Sequence, residues 1–274
     1  YDIAGNQKKL IDPSAGTINY TYNGYGELVT QQNARSQTTT FIYNPDGTIK
    51  RKETPEGLIK YRYSPNKQLV NVNSYGTVSH TYSYDSKGRV ISVVDTIPGT
   101  TPLTTSFNYD SYGRMSTITH PSDIIETYNY NGNGYLSSIS AGGSTMWTTT
   151  SMNARGQVTA GQYGSDLSST YGFDAYGYPT STVTGTLQSY SYNFNTVTGN
   201  LNWRQNNKYT GLKETFNYDN SDRLDNVYKG TGTPVLTLDM AYDSNKGGIT
   251  TKSDAGTMIY NYPGNPYALG AICP

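Results

Sequence analysis

Two histidines, a scatter of carboxylates and a single cysteine are what this 274-residue chain offers to covalent chemistry. His80 and His120 lie about two repeats of the chain apart, with no Gly-x-Ser-x-Gly elbow or other nucleophile motif beside either. His80 falls in an alternating strand and His120 precedes Pro121, so both are read as surface or turn residues. Asp123 and Glu126 are close enough in sequence to form an acid/base pair of the kind glycosidases hold at fixed separation, but an Asp-rich repeat chain presents such pairs by chance. Asn44-x-Asp46-Gly47 and Asp243-x-Asn245-x-Gly247 set oxygens at alternate positions, as calcium loops do, yet lack the full ligand set and the terminal Glu. They read as Asx turns at hairpin tips. Cys273, the only cysteine, excludes an internal disulfide framework and a Cys-based zinc cluster. The sequence therefore predicts no catalytic residue, no metal and no cofactor.

Non-covalent chemistry is better supplied. Tyr contributes 28 residues and Trp two, Trp147 and Trp203, and Asn is abundant. Ring faces that stack on sugars and amides that bond hydroxyls make such a surface a candidate for carbohydrate. Aromatics in a regular register are accounted for by packing, so the suggestive ones lie at or beside turns: Tyr25, Tyr112, Tyr135, Tyr176 and Tyr178. The sequon Asn19-Tyr20-Thr21 sits in a strand and is read as unmodified. Twenty basic and twenty acidic residues cancel, which gives the chain as a whole no electrostatic attraction for nucleic acid, other polyanions or anionic membranes. No run of 18 apolar residues is present to span a membrane as a helix.

The elements that must position these residues are set by a repeat. An aromatic, then Asp or Asn, then commonly a Gly four residues after the aromatic recurs twelve times. The anchors are Tyr1, Tyr22, Tyr43, Tyr63, Tyr84, Tyr109, Tyr130, Met152, Phe173, Tyr192, Tyr218 and Tyr242, at intervals of 19 to 26 residues. The turn glycines are Gly26, Gly47, Gly88, Gly113, Gly134, Gly156 and Gly177. Lys67, Thr196 and Asp222 stand where Gly is expected, and the Thr196 unit reads as a longer turn ending at Gly199-Asn200-Leu201.

In Tyr82-Ser83-Tyr84-Asp85-Ser86-Lys87-Gly88-Arg89-Val90 an alternating strand enters a turn and a β-branched strand leaves it. Asp or Asn after the anchor bonds backbone amides two residues on, and Gly supplies the positive φ. An apolar residue six positions past the anchor, such as Leu28, Leu69, Val90 or Leu224, starts the return strand. The fold class is thus all-β, about twelve antiparallel hairpins in a single domain over residues 1–274. Two strands per repeat give about 24 strands, and at about 4.8 Å each a sheet roughly 115 Å across. Open twisted sheets rarely grow so wide, so the ribbon is expected to coil into a spiral or partial hollow shell.

Tyr84-Asp85-Ser86-Lys87-Gly88-Arg89-Val90 and Tyr109-Asp110-Ser111-Tyr112-Gly113-Arg114-Met115 closely resemble the tyrosine-aspartate (YD) repeat of Rhs proteins, and the resemblance runs over nearly the whole chain. Related modules occur in the B and C components of insecticidal toxin complexes and in teneurins, where the repeats form a hollow β-shell. The stretch from Tyr242 to Gly256 resembles the segment before the Rhs-associated core, whose own residues are not matched before Pro274.

The resemblance implies a non-catalytic wall of a shell around a C-terminal effector, in a secreted or cell-surface bacterial protein. The chain starts inside a repeat without Met and is expected to be a piece of a longer polypeptide that carries the export signal. Partners are then the remainder of that polypeptide or, for a surface binding module, carbohydrate or another protein. Unpaired strand edges predict edge-to-edge self-association.

Overall fold

Twenty-five β-strands carry the chain in a computed structural model that describes residues 1–12, 15–244, 247–261 and 268–273. The fold is all-β and antiparallel, with no helix among the described residues. The chain divides into two compact units, one built on Tyr1–Thr127 and the other on Tyr128–Tyr262 with Leu269–Pro274. In the first, the strands from Lys9–Asp12 to Met115–Thr119 run as a meander, each pairing with its neighbours in sequence, and Ile125–Thr127 adds the last pairing. In the second, Leu136–Ala141 through Ala271–Cys273 do the same.

One hydrogen-bond scheme recurs at most of the turns that follow an anchor. After Tyr84 ends its strand, the Asp85 N–H donates to the Arg89 carbonyl at 2.9 Å and the Gly88 N–H donates to the Asp85 carbonyl at 3.0 Å. The Asp85 carboxylate accepts from the Lys87 and Arg89 N–H groups, both at 2.9 Å. Gly88 has φ 82°, where an L side chain would be strained. Lys67 and Asp222 occupy the same turn position with φ 61° and 58°, so these two units keep the geometry and carry the strain of a left-handed non-glycine residue. The scheme also recurs at the opposite strand ends, at Asn33–Gln37 with Ser36 at φ 60° and at His120–Ile124 with Asp123 at φ 62°.

The register at the anchors is constant. Tyr22 pairs with Leu28, Tyr43 with Ile49, Tyr63 with Leu69, Tyr84 with Val90 and Tyr218 with Leu224, and each pairing follows a register shift immediately before the anchor. That shift is a β-bulge, which raises the local right-handed twist once per repeat.

One anchor needs correction. Tyr192 lies inside the strand Gln188–Phe194, opposite Arg204; the bulge falls at Phe194, which pairs with Leu201, and the turn closes from the Asn195 N–H to the Asn200 carbonyl. Phe194 is therefore the anchor, and the irregular interval around Tyr192 becomes 21 and 24 residues from Phe173 to Phe194 to Tyr218. Tyr-x-Tyr-x-Phe offers three aromatics in one alternating run, and the longer turn after Phe194 hid the choice between them.

Little of this protein is deeply buried. Val227 and Met240 are the buried apolar side chains among the described residues, with Ser169 and Thr184 the buried polar ones. Ser169, 1% exposed, donates its hydroxyl to Thr184 Oγ1 at 2.9 Å across the strand pair. The chain exposes 17078 Å2, where the scaling for compact monomers gives about 11,700 Å2 at this mass. Both faces of the strands stay near water, so stability must come from strand pairing and from half-buried rings. One ring shows how local this packing is: a Cβ on Gly161 would sit 2.0 Å from Trp147 Cη2, so the indole lies flat where only glycine leaves room.

Candidate functional site

Anchor tyrosines tie hairpins to the ones before them. Six phenol hydroxyls donate to carbonyls of the preceding unit: Tyr22 to Gln7 at 3.0 Å, Tyr43 to Leu28 at 2.8 Å, Tyr84 to Leu69 at 2.7 Å, Tyr109 to Val90 at 2.8 Å, Tyr218 to Leu201 at 3.1 Å and Tyr242 to Leu224 at 2.7 Å. Except for Gln7, each acceptor is the first residue of the preceding return strand. This is the reason for Tyr over Phe: the ring fills the half-buried face and the hydroxyl satisfies a carbonyl beside the bulge. In the Met152 unit, where no phenol is present, Thr149 Oγ1 donates to the Leu136 carbonyl at 3.1 Å instead. Burial pushes the phenols of Tyr43, Tyr63, Tyr218 and Tyr242 above the ordinary tyrosine value.

In some units a second tie comes from the residue five past the anchor. Arg89 bonds the Asp85 carboxylate of its own turn, at 2.7 Å through Nε and 2.6 Å through Nη2, and lays its guanidinium 4.2 Å from the ring centroid of the next anchor, Tyr109. Arg223 repeats this with Asp219 and Tyr242, the latter at 4.3 Å. Tyr178, at the same position, stacks on Phe194 with ring centroids 5.3 Å apart and planes 12° from parallel. The Arg89 backbone N–H, together with its side chain, holds the Asp85 carboxyl below its usual value. For Asp219 the Arg223 side-chain bond is the leading cause. This position was not recognised in the sequence, although Arg at 89, 114 and 223 with Asp four residues earlier is visible there.

Of the residues singled out for chemistry, the fold brings His120 and Glu126 together, and it gives His80 a different carboxylate, Asp95. His80 Nδ1 lies 2.6 Å from Asp95 Oδ1, directly across the strand pair, and His120 Nε2 lies 2.9 Å from Glu126 Oε1. Glu126 is thus engaged by His120, and Asp123 sits in the turn at positive φ. Asn44 donates its amide to Thr48 Oγ1 at 2.9 Å, and Asp46 Oδ1 accepts from the Thr48 N–H and hydroxyl at 3.0 and 2.6 Å, the local pattern of a side-chain-bonded turn. In the second loop Asn245 lies outside the described residues; the Gly247 N–H donates to the Asp243 carbonyl at 2.9 Å. Among the described residues no three His, Cys, Asp or Glu side chains converge as a metal site, and Cys273 is exposed in the last strand.

Of the turn aromatics, Tyr25 and Tyr112 are 91% and 82% exposed, Tyr135 and Tyr176 are exposed, and Tyr178 is half-buried against Phe194. Trp203 is half-buried with Lys213 Nζ 4.5 Å from its ring.

A cavity of about 390 Å3 in the second unit is lined by Tyr190, Tyr192, Arg204, Asn206, Glu214 and Lys229, with Gln188 and Leu212. Tyr190 and Tyr192 present near-parallel rings 6.2 Å apart, the Asn206 amide donates to the Tyr190 hydroxyl at 3.2 Å, and Arg204 bridges Glu214 at 2.5 Å. The Glu214 hydrogen bond holds the Arg204 guanidinium above its usual value. Stacking faces beside hydrogen-bonding groups suit a polar ring such as a sugar.

The fold and these ties define the class: an all-β repeat protein whose hairpins are bonded phenol to carbonyl. Residues 84–125 match the family model described as RHS Repeat. A Photorhabdus luminescens Tc holotoxin pore carrying the mutation TccC3-D651A shares the fold with TM-score 0.76 at 17% identity, over 92% of this chain and 15% of that one. TcdB2-TccC3 does so with TM-score 0.76 at 18% identity, over 92% and 16%. The chain spans about a sixth of the length of these structures. No curated protein matches it. The motif and the fold agree: residues 84–125 match an RHS repeat, and the chain shares the fold of these Tc toxin structures over 92% of its length.

Proposed function

We propose that this chain is a non-catalytic length of shell wall that encloses an effector carried elsewhere in the same polypeptide. The observation that carries the reading is the phenol-to-carbonyl tie between successive hairpins, which makes an extended sheet self-supporting without a core. The likeness of fold to TcdB2-TccC3, a much longer chain, supports it. The remainder of the polypeptide is the partner, the protein acts outside the cell that makes it, and residues 1–274 serve as one domain. Protease added to the full-length parent protein tests this: an effector segment that survives in the intact protein and is cut once the wall is opened fits, and an effector cut at the same rate in both sinks the reading.

A second reading, a surface module that binds carbohydrate, is favoured by the cavity at Tyr190 and Tyr192 and by the exposed rings of Tyr25, Tyr112 and Tyr176. A glycan array probed with folded protein decides it, and a blank array removes it.

A further inference from the structure

Asp and Asn share the position after the anchor, and one amide hydrolysis separates them. Three Asn-Gly pairs occur in the chain: Asn23-Gly24, Asn131-Gly132 and Asn133-Gly134. A glycine after Asn leaves the next backbone nitrogen unhindered, so that it can attack the side-chain Cγ and close a five-membered imide. The first two pairs hold the same place in the repeat, directly after Tyr22 and Tyr130, and their turns match. Asn23 Oδ1 accepts from the N–H groups of Tyr25 and Glu27, and Asn131 Oδ1 from those of Asn133 and Tyr135, all at 3.0 Å. The Gly24 and Gly132 N–H groups donate to no described residue, and the space where either would carry a Cβ is open.

One bond separates the two turns. Asn23 Nδ2 donates to Glu27 Oε2 at 2.7 Å. At the position of Glu27 the later turn has Tyr135, whose ring leans against Gly156, and Asn131 Nδ2 has no partner among the described residues. Other turns hold this amide: Asn33 bonds Gln37 at 2.8 Å, Asn44 bonds Thr48 at 2.9 Å and Asn153 bonds Gln157 at 2.8 Å. In the third pair the Gly134 N–H is itself bonded to the Asn131 carbonyl at 2.9 Å, which withholds the nucleophile from Asn133. Asn131 is exposed, whereas Asn23 is half-buried.

We propose that Asn131 is a self-modifying site, deamidating in the folded protein while Asn23 and Asn133 are protected. The Gly132 nitrogen gives its proton to water and bonds to Asn131 Cγ, the Cγ–Nδ2 bond breaks, and Nδ2 leaves as ammonia. Water then opens the imide at one carbonyl or the other, giving Asp or isoaspartate at position 131. One water is consumed and one ammonia released, with no oxidant or reductant. The Asp product keeps both Oδ1 bonds, as the Asp85 carboxylate does in its own turn. The isoaspartate product inserts a methylene into the main chain and so breaks the turn that the Asn131 N–H closes on the Tyr135 carbonyl at 2.8 Å. Either way the neutral chain acquires one negative charge at this turn.

The test is peptide mapping by mass spectrometry of the folded chain aged in mildly alkaline buffer, with each Asn-Gly pair followed over time. Asn131 is expected to convert at least about tenfold faster than Asn23, the effect on a barrier of one hydrogen bond to a charged group. In urea, where the turns are lost, the two rates are expected to converge. Tyr135→Glu supplies the missing carboxylate and is expected to slow Asn131 to the rate of Asn23. Glu27→Ala frees the Asn23 amide and is expected to speed that site by about tenfold, a result that does not depend on how Tyr135→Glu folds. Equal rates at Asn23 and Asn131 in the folded chain, or an Asn23 rate unmoved by Glu27→Ala, overturns the proposal.

Discussion

Replacing Tyr84 by Phe removes one hydroxyl and nothing else, and it tests the tie on which the whole array depends. In the parent that hydroxyl donates to the Leu69 carbonyl at 2.7 Å, across the junction between two hairpins, from a half-buried ring. A hydrogen bond of this kind contributes a net of about 0.5 to 1.5 kcal/mol, because water competes for both groups in the unfolded chain. A cost of about 1 kcal/mol corresponds to a fall in melting temperature of about 2 to 4 °C for a chain of this general size. Tyr82, two residues earlier on the same face, has no hydrogen-bonded hydroxyl among the described residues, so Tyr82→Phe is the matched control and is expected to stay within about 0.5 kcal/mol of the parent. The assay is paired thermal and urea unfolding followed by near-ultraviolet circular dichroism, with hydrogen exchange at the Leu69 to Asn71 amides to show that the loss is local to the junction. If Tyr84→Phe and Tyr82→Phe behaved alike, the hydroxyl tie would be irrelevant to stability and the preference for Tyr at the anchor would need another cause.

Truncation of the same ring, Tyr84→Ala, is expected to cost about 2 to 3 kcal/mol by unfolding, more than the hydroxyl alone because the half-buried ring area goes too. Ser36→Gly relieves a left-handed φ of 60° at an exposed turn and is expected to raise the melting temperature, by up to about 1 kcal/mol of stability; an unchanged or lower value would contradict the strain argument. Arg223→Lys gives up the paired bonds to Asp219 and the stack on Tyr242, and is expected to cost about 1 kcal/mol that Arg155→Lys, at a turn without that carboxylate, does not.

Acidification should destabilise the fold: Asp85 and Asp219 have folded-state values below the ordinary carboxylate one, so their contribution is complete above about pH 4 and is lost as pH falls through the lower folded values. Stability to urea that held flat below about pH 4 would contradict this. At the alkaline end the sign reverses in direction of pH, since the phenols of Tyr43, Tyr63, Tyr218 and Tyr242 are raised in the folded state. Their contribution is complete below about pH 10 and is lost as pH rises through the folded values, which absorbance at the tyrosinate band follows.

Edge-to-edge association is tested by light scattering over a range of concentration. The strand Lys9–Asp12 pairs on one side only among the described residues and carries Ile11 exposed at 68%. A mass that stays monomeric at all concentrations would refute it.

Sequence by itself determined the hairpin. Alternation before Tyr84, a side-chain oxygen at Asp85, a permissive Gly88 and a β-branched return at Val90 each act within a few residues, so strand, turn and return are all local consequences of neighbouring residue types. What neighbouring hairpins do to one another was settled only in three dimensions. The phenol of Tyr84 finds its acceptor fifteen residues back, and the Arg89 guanidinium its ring twenty residues on, because the anchor and the return strand of adjacent hairpins lie side by side. The same holds for the anchor at Phe194, where three equally spaced aromatics could not be told apart until the bulge chose one. It holds too for charge: Arg51 lies directly opposite Lys60 on the strand pair Ile49–Thr54/Gly57–Tyr63, and which charges share a face there depends on the register of the turn between them.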